Sequence, residues 1–193
     1  MCGRYYIDET MADELERFLP GLGKSLRKQY RGDIFPSKEA PVLLRKGDTL
    51  TEKSMRWGFP GLQGKGNLIN ARAESAAEKR TFQDSVLHRR CVILASGFYE
   101  WNSQKEKFQF SQRSGKPLYM AGCYSIFQNE ECFVIFTTQA NASVKEVHER
   151  MPLILEETEV KRWILDDTCV ENMLHKVPGE LEKWTEYEQM SLF

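Results

Sequence analysis

Between Cys91 and Thr138 the chain carries five short apolar runs: Cys91–Ala95, Phe98–Trp101, Phe108–Gln112, Leu118–Ile126 and Cys132–Thr138. The stretches between them are short and hold the Gly, Ser, Asn and Pro residues that make turns. Runs of this length, rich in β-branched and aromatic residues, read as strands. Upstream, Pro41–Lys46 and Leu50–Trp57 flank Gly47-Asp48, a hairpin signature. Helical spacing appears in three places. Met11, Leu15, Phe18 and Leu19 share one face of a helix over Asp8–Leu19, capped by Asp8 or Thr10 and stopped by Pro20-Gly21. Ala73–His88 reads as helix with a break near Thr81, and Glu156–Leu165 is amphipathic. Strands parted by short turns, with helices between and after them, predict an α+β fold: a mostly antiparallel sheet with peripheral helices. Periodicity leaves open whether that sheet closes into a barrel.

No repeat, linker or low-complexity stretch interrupts the 193 residues, so a single domain over 1–193 is expected. No apolar run approaches the ~20 residues of a membrane span. Met1-Cys2-Gly3-Arg4 lacks the apolar core of a signal peptide, which predicts a cytoplasmic protein without a membrane partner. The net charge is −1, which argues against bulk affinity for nucleic acid, but its distribution is uneven. Residues 1–120 hold 21 Lys+Arg against 14 Asp+Glu, and residues 121–193 hold 6 against 14. A basic face built by the first two thirds of the chain accounts for this, as does chance on a solvated surface. A chain of this composition is expected to be a monomer.

The five cysteines are odd in number and form no CxxC pair, so neither a disulfide framework nor a metal site is signalled. Cys91, Cys123, Cys132 and Cys169 sit in or beside apolar runs and read as buried hydrophobes. Cys2 differs, because only a methionine precedes it. Removal of Met1 would leave a free α-amine and a thiol on adjacent carbons. Reference pKa values of ~7.7–8.0 for the amine and ~8.5 for the thiol leave a useful fraction of neutral amine at pH 7. Such an aminothiol condenses with an aldehyde to an imine, and the thiol then closes a five-membered thiazolidine. The same pair could instead attack an amide, thiolate as nucleophile and amine as base. A frayed, chemically idle terminus is the third reading.

Four further segments stand out. Asn70-Ala-Arg-Ala-Glu74 alternates three polar groups that would share one side of an extended strand, or else open a helix with Asn70 as its cap. Glu100 lies between Tyr99 and Trp101, where desolvation raises a carboxyl pKa toward proton-transfer range if the side chain points inward. His148-Glu-Arg-Met-Pro152 sets an imidazole and a guanidinium before a proline, without the second His of a zinc motif. Arg56-Trp-Gly-Phe-Pro60 either stacks on bases or packs as a core corner.

Taken in order, Met1-Cys-Gly-Arg-Tyr5, Arg56-Trp57-Gly58, Asn70–Glu74, Gly97–Trp101, Thr137-Thr138 and His148–Pro152 resemble the SOS response-associated peptidase (SRAP) family over residues 1 to about 155. The resemblance implies an SRAP-like fold and a sensor of abasic sites in single-stranded DNA. Such a protein shields the lesion through a thiazolidine crosslink in the SOS response, and carries autoproteolytic peptidase and abasic-site lyase activity. Carried across, Cys2 is the nucleophile, Asn70 holds its backbone, Glu100 is the general acid/base, and His148 protonates the sugar ring oxygen. Thr137 lines the pocket, Arg4 and Arg72 hold phosphates, Arg150 adds a phosphate contact, and Trp57 and Trp101 pack along the DNA path. No cofactor is implied, and the protein would associate with the bacterial nucleoid when DNA is damaged. Two departures stand against the pattern: Leu94 where a Pro is usual, and a short loop after Trp57-Gly58. The competing functions are an N-terminal nucleophile hydrolase or glutamine amidotransferase, which can also begin Met-Cys-Gly, and a non-covalent reader of damaged or modified DNA.

Overall fold

The computed structural model describes residues 2–18, 20, 31–61 and 66–186. Five strands close a barrel: β3 (Glu39–Lys46), β4 (Thr49–Trp57), β8 (Arg90–Ala95), β11 (Leu118–Phe127) and β12 (Glu130–Gln139). The ring runs β4–β3–β8–β11–β12 and returns to β4. All its pairings are antiparallel except the closing one, where β4 meets β12 in parallel through Cys132 and Phe133 opposite Arg56 and Trp57. The barrel interior is tight at Gly122, where a Cβ would stand 2.3 Å from the Val134 carbonyl oxygen, so only glycine fits.

β12 runs past the ends of its pairings with β4 and β11 and works as a spine. Along one edge, β7 (Asn70–Arg72) takes over from β4, pairing in parallel with Ile135–Thr137. Along the other, β13 (Arg150–Pro152) follows β11, pairing with Thr137–Gln139. Two of the polar segments singled out in the sequence therefore flank Thr137, one on each side. β14 (Ile154–Leu155) pairs with β11, and β5 (Phe59–Pro60) pairs with β6 (Asn67–Leu68).

A second sheet is built in the order β15 (Glu182–Trp184), β10 (Lys107–Ser111), β9 (Gly97–Trp101), β1 (Tyr5–Ile7), β2 (Gly32–Ile34). Only Ser96 separates β8 of the barrel from β9 of this sheet, and its N–H donates to the Tyr6 carbonyl at 2.9 Å. Strand alternation is clean here. Phe98, Glu100, Phe108 and Phe110 point into the protein, while Tyr99, Trp101, Lys107 and Gln109 point outward.

The helices are α1 (Met11–Phe18), α2 (Ala73–Ala76), α3 (Gln83–His88), α4 (Ala142–Lys145), α5 (Glu157–Leu165) and α6 (Val170–Leu174). α1 starts after Asp8, whose carboxylate accepts from the Thr10 N–H at 3.0 Å. Leu19 and Gly21, expected at its end, lie outside the described residues. The expected Ala73–His88 helix is two short helices, broken across residues 77–82. α5 opens with a capping box between Glu156 and Glu159 and buries Trp163 edge-on against Phe136, rings 5.8 Å apart. No helix among the described residues is long and apolar enough to cross a membrane.

Candidate active site

The chain enters β1 directly from Cys2, which is wholly buried. Two contacts fix it. The Asn70 amide Nδ2 donates to the Cys2 carbonyl oxygen at 2.8 Å, and the Tyr99 N–H donates to the Arg4 carbonyl at 3.0 Å. The second bond lays the first residues alongside β9, on whose inner face Glu100 stands only 3% exposed. Burial, with the Glu100 charge second, pushes the Cys2 thiol far above its ordinary range, so at neutral pH the sulfur carries its proton. Glu100 is itself raised above the usual carboxylate range by burial, against the pull of the positive amino terminus and of His148. The pocket thus holds a neutral thiol beside a carboxyl whose burial disfavours its charged form, with an imidazole near it.

His148 follows α4. Its Nδ1 faces the Arg150 backbone, 2.9 Å from the N–H and 3.1 Å from the carbonyl oxygen. The neutral ring accepts from the N–H there, and the protonated ring can donate to the carbonyl. Nδ1 is engaged in either form.

The Arg150 guanidinium turns away from solvent. It grips Glu74 with two parallel bonds of 2.8 Å and also donates to the Thr137 carbonyl oxygen. Glu74 is held below the ordinary carboxylate range, chiefly by the Arg150 hydrogen bonds. Thr137 is wholly buried between β7 and β13. Its Oγ1, with Asn70 Oδ1 and Arg150 Nε, finds no hydrogen-bond partner among the described residues. Buried polar atoms left unsatisfied are uncommon, and three lining one region fit a wall built for ligand atoms or water.

Around this pocket the cations are arranged on two sides. Arg72 is exposed and lines an open cleft of about 470 Å³ with Gln139, Ala140, Lys145, Glu149 and Arg150. Arg4 lies on the other side, its guanidinium over the rings of Phe35 (4.5 Å) and Trp101 (5.2 Å), and 3.6 Å from the Asp33 carboxylate.

Cys2, Asn70, Glu100, His148 and Thr137 are therefore brought to one locality, with Arg4, Trp101 and Arg72 at its rim. One expectation is corrected. Trp57 does not lie along an open path: it is fully buried, its indole N–H donating to the Ile69 carbonyl at 2.9 Å and its ring packed on Tyr5 and Phe133. Gly58 after it has φ +113°, and a Cβ there would lie 3.2 Å from Asn67 Cβ, so the segment turns sharply inward and packs as a core corner. Arg150 pairs with Glu74 while also lining the open cleft beside Arg72. Leu94, the other departure, is a buried strand residue opposite Tyr119. Sequence reasoning gave no role to Glu74, Asp33 or Phe35. For Glu74 a signal existed, since it and Arg150 are opposite charges in the two polar segments that flank Thr137.

The class is set by a barrel with a side sheet that holds a buried Cys2, pinned by Asn70 beside Glu100, between cations on two sides. The chain belongs to the SOS response associated peptidase (SRAP) family, whose sequence profile matches residues 1–190. Among its relatives is the abasic site processing protein YedK of Escherichia coli, 30% identical over 179 residues and covering 85% of this chain and 79% of that protein. The abasic site processing protein HMCES of Xenopus tropicalis is 27% identical, covering 74% of this chain and 56% of that protein. The same fold occurs in a crystal structure of a phage-related protein from Bordetella bronchiseptica, with a TM-score of 0.78, 19% identity, and coverage of 95% of this chain and 93% of that one.

Proposed function

We propose that this protein processes abasic sites, capturing them in single-stranded DNA as a thiazolidine on Cys2 and shielding them during the DNA damage response. The observation that carries the reading is the 2.8 Å bond from Asn70 to the Cys2 carbonyl, which pins the terminus beside a buried carboxyl. A terminus that merely frayed would have neither anchor nor proton-transfer partner.

The α-amine is freed by hydrolysis of the Met1–Cys2 bond, through a methionine aminopeptidase or through Cys2 itself, the autoproteolysis the family name records. An abasic deoxyribose rests mostly as a closed hemiacetal. His148 gives a proton to the ring oxygen as the C1′ hydroxyl loses its own, opening the sugar to the aldehyde. The Cys2 nitrogen adds to C1′, Glu100 protonates the departing hydroxyl, and water leaves an imine. Sγ then adds to the imine carbon while its proton passes through Glu100 to the nitrogen. One C–N and one C–S bond form, one water is released, and no redox partner or cofactor is needed. The high thiol pKa fits this order, with the amine reacting first and the sulfur deprotonated only as it closes the ring. Until closure, the imine acidifies the C2′ proton, so a slow strand-cutting β-elimination competes as a lyase side reaction.

The test is a denaturing gel of the mature protein with an oligonucleotide bearing one abasic site. An adduct that survives denaturation is expected from the wild type and none from Cys2→Ala, with at most a labile product from Cys2→Ser. A full-yield adduct from Cys2→Ala would overturn the reading.

A further inference from the structure

His148 is held by main chain, and that main chain is anchored by a carboxylate the capture chemistry does not use. The imidazole Nδ1 lies 2.9 Å from the Arg150 N–H and 3.1 Å from the Arg150 carbonyl oxygen, so the ring follows wherever residue 150 sits. Residue 150 opens β13, the end strand of its sheet. β13 has only three residues and finishes on Pro152, which has no N–H to give to a ladder. Main-chain pairing alone therefore gives this strand a modest hold.

The Arg150 side chain supplies the rest. Its guanidinium donates one 2.8 Å arm to each Glu74 carboxylate oxygen and a further bond to the Thr137 carbonyl. Glu74 also accepts from the main-chain N–H of Gln139, the residue opposite Arg150 in the β12–β13 register. One carboxylate thus fastens both members of the Gln139–Arg150 pair. Two parallel bonds fix the orientation of a guanidinium as well as its distance. Glu74 is itself well founded, in α2 between the buried Ala73 and Ala76. Four residues earlier on the same segment, Asn70 holds the Cys2 carbonyl at 2.8 Å. The run from β7 into α2 therefore sets the backbone of the nucleophile at one end and the anchor of the imidazole at the other.

We infer that Glu74 is a positioning residue for capture, holding the His148 ring through Arg150 in the orientation that protonates the sugar oxygen. The inference rests on the abasic-site reading above and adds to it the group that keeps the acid in place. Glu74 moves no proton of its own. Its carboxyl sits below the ordinary carboxylate range, chiefly through the Arg150 hydrogen bonds, and stays ionised at neutral pH. Without that carboxylate, the guanidinium is free to turn into the cleft it already lines beside Arg72, and residue 150 loosens with the imidazole attached to it.

The experiment compares two oligonucleotides in single-turnover capture, one with a true abasic site and one with a permanently open aldehyde. Only the first needs its sugar opened. Glu74→Gln should slow capture of the true site by about tenfold or more, the scale of a misplaced catalytic group, and leave the open aldehyde within about twofold of wild type. A role confined to stability would lower both rates together or neither. Glu74→Asp keeps the charge but is one methylene short. It should show the same split at smaller size, and it carries the comparison if the Gln variant does not fold. Heteronuclear NMR of the imidazole nitrogens gives a readout without DNA, and the chain has only three histidines to assign. At alkaline pH the wild-type His148 should report one tautomer, protonated at Nε2 because Nδ1 accepts from Arg150. In the Gln variant both ring nitrogens should move toward the values of mixed tautomers. Equal loss on the two oligonucleotides, no loss on either, or unchanged His148 ring signals in a folded variant would overturn the positioning role. A wild type that forms no adduct with either oligonucleotide would instead sink the capture reading itself.

Discussion

Arg150 and Glu74, 76 residues apart in the chain, close a two-armed ion pair across the end of β12, each arm 2.8 Å long. The pair ties α2, which directly follows β7, to β13 across Thr137. Its members are unequally buried, Arg150 being 11% exposed at the side chain and Glu74 34%, so solvent screens part of its worth.

Glu74→Gln should therefore lower stability by about 1–3 kcal/mol in denaturant unfolding, because it strands a buried guanidinium. Acid titration adds a second readout. Glu74 has a depressed pKa when folded, so its contribution is whole above the unfolded value of about 4.3 and fades as pH falls through the lower, folded one. The variant should show a flatter acid limb than the wild type in that window.

Glu100 predicts the opposite sign. Its carboxyl is raised on folding, chiefly by burial, so the folded protein binds more protons than the unfolded chain and loses stability as pH rises above the ordinary carboxylate range. Glu100→Gln should raise the melting temperature at pH 7. It should also slow adduct formation by roughly 10²-fold or more, the size of a general acid–base contribution. A variant that is both slower and less stable would contradict the assignment.

His148 is assigned to opening the sugar, which yields a substrate-dependent prediction. His148→Ala should slow capture of a true abasic site by about 10²-fold. It should leave capture of an oligonucleotide bearing a permanently open aldehyde close to wild type. Equal losses on both substrates in single-turnover assays would move His148 to a different step.

Trp57 now predicts a stability effect instead of a DNA-binding one. Trp57→Ala should cost about 3–5 kcal/mol, as for a large aromatic removed from a packed core. Trp57→Phe keeps the ring contact with Tyr5 but loses the hydrogen bond to Ile69, and should cost less. In the Phe variant, affinity for single-stranded DNA should be unchanged by anisotropy.

The strands from β8 to β12 were legible because each is a local pattern, an apolar run between turn residues. Barrel closure was not, since the parallel contact of Arg56 and Trp57 with Cys132 and Phe133 joins segments more than 70 residues apart and leaves no local mark. Short strands such as β7, β13 and β15, of three residues each, fall below any periodic signal. Reading Arg56–Pro60 by itself could not separate a surface wedge from a core corner. The pairing of β4 with β12 decides it by placing Trp57 against Phe133. At the site, Cys2 and Glu100 were visible as chemistry, but their adjacency depends on β1 lying antiparallel to β9, a tertiary fact. The pairing of Arg150 with Glu74 was hidden for the same reason, its partner lying 76 residues away.

In β9, odd and even positions serve different masters. Glu100 faces inward toward the Cys2 sulfur, while Tyr99 and Trp101 on either side of it face out among the cations. An insertion or deletion of one residue within β9 would turn the acid to solvent and bury the rings, disabling both faces at once. Changes in length are therefore tolerable only in the turns at its ends, and this five-residue segment can diverge by substitution alone.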